Sequence, residues 1–189
     1  MKIGIFGGTF NPVHKGHIHA AKCFRDECGL DLVYVIPNYI SNLKTPNSTP
    51  AEDRLAMLEI AFRGEPGFVI SDMEIRRGGV SYTADTVRAL KEMHPDGEIY
   101  LFFGDDWLEG FHRWYHFDYL RENLTVALAN RSGRDIGELT EKLKNEHGVK
   151  IFPLQFSAIT ASSTAYRGGD TSLCTDEVNR YIAEKGLYR

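Results

Sequence analysis

Cysteine is scarce in this chain, with Cys23, Cys28 and Cys174 the only three in 189 residues. An odd, widely spaced trio excludes a disulfide framework and lacks the paired spacing of a zinc knuckle. Cys23 and Cys28 fall on one expected helix at a spacing that points them in different directions. All three read as small buried hydrophobes. No apolar run approaches the length of a bilayer span. A charged-then-apolar leader is also missing, so the expected compartment is the reducing cytoplasm. Charge of one sign is not in large excess: 22 Lys and Arg against 26 Asp and Glu leave a net charge of −4. That argues against a nucleic-acid scaffold, which carries a basic face. Two phosphate fingerprints are absent as well. There is no G-x-G-x-x-G, which disfavours a Rossmann oxidoreductase, and no Gly-Lys-Ser/Thr closing a Walker loop.

What is present is an ordinary soluble composition, 42% hydrophobic and 25% charged, at a length that suits one domain spanning residues 1–189. Apolar strands alternate with helical segments. Residues 2–6, 32–36, 68–70, 99–103, 124–129 and 149–152 read as strands. Residues 16–28, 83–94, 135–147, 162–167 and 175–185 read as helices, with Gly29 stopping the first. Residues 38–49 read as a polar loop. Thr49 is expected to cap a further helix, with Pro50 as its first residue, Glu52 closing a capping box and Gly64 ending it. Its apolar face would be Leu55, Leu58, Ala61 and Phe62. This alternation predicts an α/β fold: a doubly wound, mostly parallel sheet with a small C-terminal helical extension. Ligands of such sheets bind at the carboxyl ends of strands, where strand order reverses. Gly7-Gly8 and Gly104-Asp105-Asp106 each follow a strand at such an end.

The most informative stretch is IGIFGGTFNPVHKGH, residues 3–17. Paired glycines after a strand let backbone N–H groups approach an anion, because no Cβ intrudes. His14 and His17 are three apart near a helix start, so both rings face the same way and could approach one phosphate. Gly16, between them, leaves room for a ligand. A metal site is not suggested, because no third ligand stands nearby.

Gly7 to His17, G-G-T-F-x-P-x-H-x-G-H, resembles the signature of the HxGH nucleotidyltransferase superfamily, with Asn11 where that family commonly has Asp. Ala161 to Arg167, ASSTAYR, resembles its second motif, I-S-S-T-x-I-R, with Ala161 and Tyr166 at apolar positions. Three further segments are similar to those of bacterial nicotinate mononucleotide adenylyltransferases: Ser81-Tyr82-Thr83-Ala84-Asp85-Thr86, Phe103 to Leu108, and Phe111 to Tyr115. The spacing from Lys44 to Arg54 fits too, with Leu43 in place of a histidine. The resemblance covers nearly the whole chain.

The resemblance implies a Rossmann-like nucleotidyltransferase fold and adenylyl transfer from ATP to nicotinate mononucleotide, giving deamido-NAD and pyrophosphate. His14, His17, Lys44 and Arg167 would then carry the chemistry. Gly7, Gly8, Thr9, Phe10, Gly16, Gly104, Asp106, Ser162, Ser163 and Thr164 would bind ATP. Thr83, Asp85, Trp114 and Tyr115 would bind the mononucleotide. Trp114 would stack on the pyridine ring, or else serve as a core aromatic. Asp106 would orient a ribose hydroxyl, or else cap the following helix. Mg²⁺ would arrive with ATP, held by phosphate and water. The partners expected are these two small molecules, with no nucleic acid and no membrane, and homo-oligomerisation is left open. Rival readings are nicotinamide mononucleotide as the preferred acceptor, phosphopantetheine adenylyl transfer, and a nucleotide sensor without turnover.

Overall fold

The computed structural model describes residues 1–41, 49–133, 135–155 and 161–188. The first motif closes strand β1 (Lys2–Gly8) and opens helix α1 (Lys15–Cys28). The chain continues through β2 (Leu32–Pro37), the two-residue β3 (Ile40–Ser41), α2 (Ala51–Ala61) and β4 (Phe68–Ile70). Next come α3 (Met73–Arg77), β5 (Val80–Ser81), α4 (Thr83–Met93) and β6 (Glu98–Gly104). A 3-10 stretch (Asp105–Arg113) leads into α5 (Phe117–Asn123) and β7 (Leu124–Ala129). Helices α6 (Gly137–Asn145), α7 (Ser163–Arg167) and α8 (Asp176–Lys185), with β8 (Lys150–Leu154) between the first two, complete it.

Six strands form one sheet in the order β4-β2-β1-β6-β7-β8, every pairing parallel. A short second ladder joins β3 to β5. Period-two alternation divides the sheet's side chains between two cores. Val33, Val35, Ala127 and Ala129 face α1, α2 and α8, where Phe24, Met57, Leu58 and Ile182 meet them. Ile3, Ile5, Tyr34, Ile36, Ile99, Leu101 and Phe103 face the other way, against Val87, Leu90, Leu108, Phe111, Leu120 and Leu143. Helices therefore cover both faces, as the continuous apolar strands imply. Phe24 and Phe111 are fully buried, and truncating either to Ala would cost about 3–5 kcal/mol.

Helix α2 departs from expectation. It starts one residue late, with Pro50 in the cap position and no side-chain cap. Thr49 is buried instead of capping. Its inward face carries Arg54, Met57 and Leu58, whereas Leu55 and Ala61 are only partly buried. Periodicity discounts a charged residue, and here the charged residue points in because backbone carbonyls receive it. Helices α3 and α5, the 3-10 stretch and the β3–β5 ladder were not anticipated. Each is too short to display a period.

Candidate active site

From β1 the chain builds outward through β2 to β4, then returns to lay β6 on the opposite side of β1. Strand order reverses between β1 and β6. At the carboxyl ends of those two strands lies a cleft of about 1290 Å³. Gly7, Gly8, Thr9, Phe10, His14, Gly16 and His17 form one wall, and Gly104 and Asp106 another. Ser162, Ser163, Thr164 and Arg167 line the cleft from α7 and its cap, and Thr83 and Trp114 line it as well. A Cβ added to Gly7 would meet nothing within 4 Å, so the bare backbone there faces open cleft. One added to Gly16 would approach the His14 ring and Ala161 at 3.1 Å, so protein fills that space as well.

The two histidines form a reciprocal cap at the start of α1. His14 Nδ1 accepts from the His17 N–H at 3.3 Å, and His17 Nδ1 accepts from the His14 N–H at 3.2 Å. A nitrogen that accepts carries no proton, so each neutral ring holds its proton on Nε2. The rings stack with centroids 3.6 Å apart, and Phe10 meets His17 edge-on. Burial, reinforced by the Arg131 charge, lowers His14 to about 4. At neutral pH it is an uncharged donor.

The turn between β1 and α1 is held from outside. Arg54 donates to Thr9 O at 2.9 Å and Ser163 Oγ to Pro12 O at 2.9 Å. The Cys174 thiol donates to Val13 O at 3.0 Å, and Arg167 to Asn11 O. The Asn11 side chain accepts from the Tyr188 hydroxyl at 2.6 Å. Ser162 caps α7 by accepting from the Ala165 N–H at 3.0 Å, and Arg167 reaches Thr164 Oγ1 at 3.2 Å. The second motif thus braces the first as well as lining the cleft.

Of the remaining sequence-derived residues, Asp106 and Trp114 line the cleft, whereas Asp85 and Tyr115 do not. Lys44 lies outside the described residues, as does Leu43. Asp85 does not line the cleft and pairs with Arg88 at 2.8 Å. Tyr115 also stands off it, half exposed, its ring 4.5 Å from that of Tyr82. Asp106 is not a helix cap, because Gly104 holds that position, and its carboxylate pairs with Arg131 at 2.9 Å. Trp114 packs against Phe103 and Phe111 on its core side and also borders the cleft.

The cleft also holds polar residues to which sequence reasoning gave no site role, Asp105, Arg131, Ser132 and Glu74 among them. Asp105 is 1% exposed and accepts from the Arg131 N–H at 2.9 Å and from the Ser132 hydroxyl, holding the 131–132 turn against β6. Arg131 and Ser132 line the cleft beside it. Their signal was available, because Asn130-Arg131-Ser132-Gly133 follows a strand end as the first motif does. Glu74 is buried and lines the cleft from α3. No spacing rule marks it. Among the described residues no three His, Cys, Asp or Glu side chains gather to hold a metal ion, and no helix is long and apolar enough to cross a membrane.

Residues 5–169 match the family model described as cytidylyltransferase-like. A probable nicotinate-nucleotide adenylyltransferase of Neisseria meningitidis is 34% identical, with 99% of this chain and 98% of that protein covered. A protein of the same description from Geobacillus thermodenitrificans is 38% identical over 99% of this chain and 86% of its own length. Among solved structures, the Plasmodium falciparum nicotinic acid mononucleotide adenylyltransferase complexed with NaAD superposes with a TM-score of 0.79. That match is 19% identical and covers 99% of this chain and 97% of that one.

Proposed function

On the premise that the chain belongs to the cytidylyltransferase-like family, we propose that it transfers the adenylyl group of ATP to nicotinate mononucleotide. The products are deamido-NAD and pyrophosphate, and the reaction is a step of NAD biosynthesis. Relatives matched over 98% and 86% of their lengths and described as probable nicotinate-nucleotide adenylyltransferases support this substrate pair. The observation that carries the reaction type is the stacked His14–His17 pair beside the open Gly7 backbone at the strand switch point.

A phosphate oxygen of the mononucleotide attacks the α-phosphorus in line. The new O–P bond forms as the bond to the departing pyrophosphate breaks. That oxygen is already anionic, so no general base is required, and catalysis is positioning plus charge stabilisation. Two neutral Nε2–H donors fit that task, because they stabilise charge gathering on phosphoryl oxygens without reorganising. Arg131 and Arg167 supply cationic forks on either side, and Lys44 adds a third cation. Gly7, Gly8, Thr9 and Phe10 offer backbone approach to the triphosphate, with Ser163 and Thr164 on the pyrophosphate side. Trp114 stacks on the pyridine ring, and the backbone amide at Thr83 receives the carboxylate. Mg²⁺ enters as part of the substrate, MgATP, held by phosphate oxygens and water. We assign the reaction to the cytoplasm and residues 1–189 to one domain.

The test is pyrophosphate release from MgATP with nicotinate mononucleotide and, separately, nicotinamide mononucleotide. A kcat/KM for the acid at least about tenfold above that for the amide is expected. Preference for the amide overturns the substrate assignment. Turnover with neither, alongside ATP binding, favours a sensor.

A further inference from the structure

Glu74 is a buried carboxyl of the cleft wall, bonded to the segment around Thr83, where the substrate carboxylate is proposed to bind. It lines the same cavity as Ser81, Thr83 and Trp114 and is 9% exposed. The Thr86 hydroxyl donates to Glu74 Oε1 at 2.5 Å, and the Ser81 hydroxyl also bonds to the carboxyl. Both donors belong to the segment that flanks Thr83. Arg77, one turn along α3, directs its guanidinium to Thr86 Oγ1 at 3.5 Å rather than into a close ion pair with Glu74. The other charge facing this carboxyl is Asp85, from α4, itself paired with Arg88.

We propose that Glu74 is a specificity-determining residue whose charge sets the preference between the acid and amide forms of the pyridine nucleotide. This rests on the adenylyl-transfer reading above. An ionised Glu74 repels a pyridine carboxylate and leaves a carboxamide untouched or bonded, whereas an uncharged Glu74 removes that discrimination. Burial pushes the carboxyl up. The Thr86 and Ser81 hydroxyls and Arg77 pull it down, and Asp85 pushes it up again. Ionisation rises with pH, so acid preference falls as pH rises.

The experiment compares kcat/KM for nicotinate and nicotinamide mononucleotides from pH 5.5 to 8.5, in the wild type and in Glu74→Gln. Both substrates carry the same phosphate, so its titration cancels in the ratio. The wild-type acid-to-amide ratio is expected to fall as pH rises, by about tenfold between the uncharged and the ionised Glu74, as a nearby charge switches on in a partly desolvated site. The ratio in Glu74→Gln is expected to stay flat and high. Thr86→Val, which removes a donor to the anion, moves the wild-type midpoint to higher pH. A flat wild-type ratio overturns the proposal, as does an unchanged slope in Glu74→Gln. The wild-type profile decides the matter by itself if Glu74→Gln does not fold. No turnover with either nucleotide fails the parent reading, and the selector with it. Turnover with a flat ratio fails the selector alone.

Discussion

His14 and His17 cap one another, each Nδ1 accepting the other residue's backbone N–H across a ring stack of 3.6 Å. A capping box is ordinarily built from hydroxyl and carboxylate side chains. Built from two imidazoles, it also fixes both tautomers, so helix initiation and placement of donors become one structural event. Replacing His17 by Ala is expected to lower kcat by about a hundredfold while moving the KM for ATP less than about threefold, because the lost hydrogen bond matters most in the transition state. Steady-state pyrophosphate release checks this. A kcat within about threefold of wild type rules the role out.

The same burial makes stability depend on pH. His14 titrates at about 4 in the folded chain against 6.5 when unperturbed. Between those values the unfolded chain binds the extra proton, so stability present above pH 6.5 is lost as pH falls toward 4. The difference corresponds to about 3 kcal/mol. His14→Asn keeps a capping side chain without a titrating ring. Urea unfolding at pH 7 and pH 4.5 is expected to show a smaller acid loss in that variant. Equal losses in the two proteins would remove His14 as the cause.

Gly7 and Gly16 separate ligand room from protein room. The Cβ of Gly7→Ala enters open cleft, so thermal stability is expected to stay within a few degrees while the KM for ATP rises at least about tenfold. The Cβ of Gly16→Ala presses on the His14 ring and Ala161, so that variant is expected to lose about 1–3 kcal/mol of stability as well as activity. A melting curve and an ATP titration on each variant distinguish the two. The reverse pattern would mean that the phosphate path does not cross Gly7.

Much of this was legible in the chain because its signals are local. Parallel strands buried on both faces read as apolar runs, so β1, β2, β4, β6 and β7 lie within two residues of their expected bounds. Gly29 ends α1 in the left-handed region, as its position implied. The cleft's first wall follows from one contiguous motif. What stayed hidden depends on long-range partners. Arg54 points inward only because the carbonyls of Thr9 and Tyr39 are there to receive it. Asp105 is indistinguishable from Asp106 by type, yet one is buried under the 131–132 turn and the other pairs with Arg131 half exposed. Glu74 enters the site from a five-residue helix, and Cys174 reads as a plain hydrophobe until Val13 is placed beside it.

That last contact carries its own test. Three consecutive carbonyls before His14, those of Asn11, Pro12 and Val13, take donors from Arg167, Ser163 and Cys174 respectively. Burial holds the Cys174 thiol at about 12, so it remains a protonated donor throughout any working pH, although thiols donate weakly. Val13 O precedes the amide of His14, and releasing it loosens the peptide that orients the ring pair. Cys174→Ala is expected to lose about 1–2 kcal/mol of stability from truncation and the unpaired carbonyl, with kcat several-fold lower. Cys174→Ser retains a donor and is expected to hold kcat near wild type even where the buried hydroxyl lowers stability. That split between stability and turnover distinguishes a positioning bond from packing. If Ala and Ser variants lose kcat alike, or Ala loses none, the thiol contributes volume only.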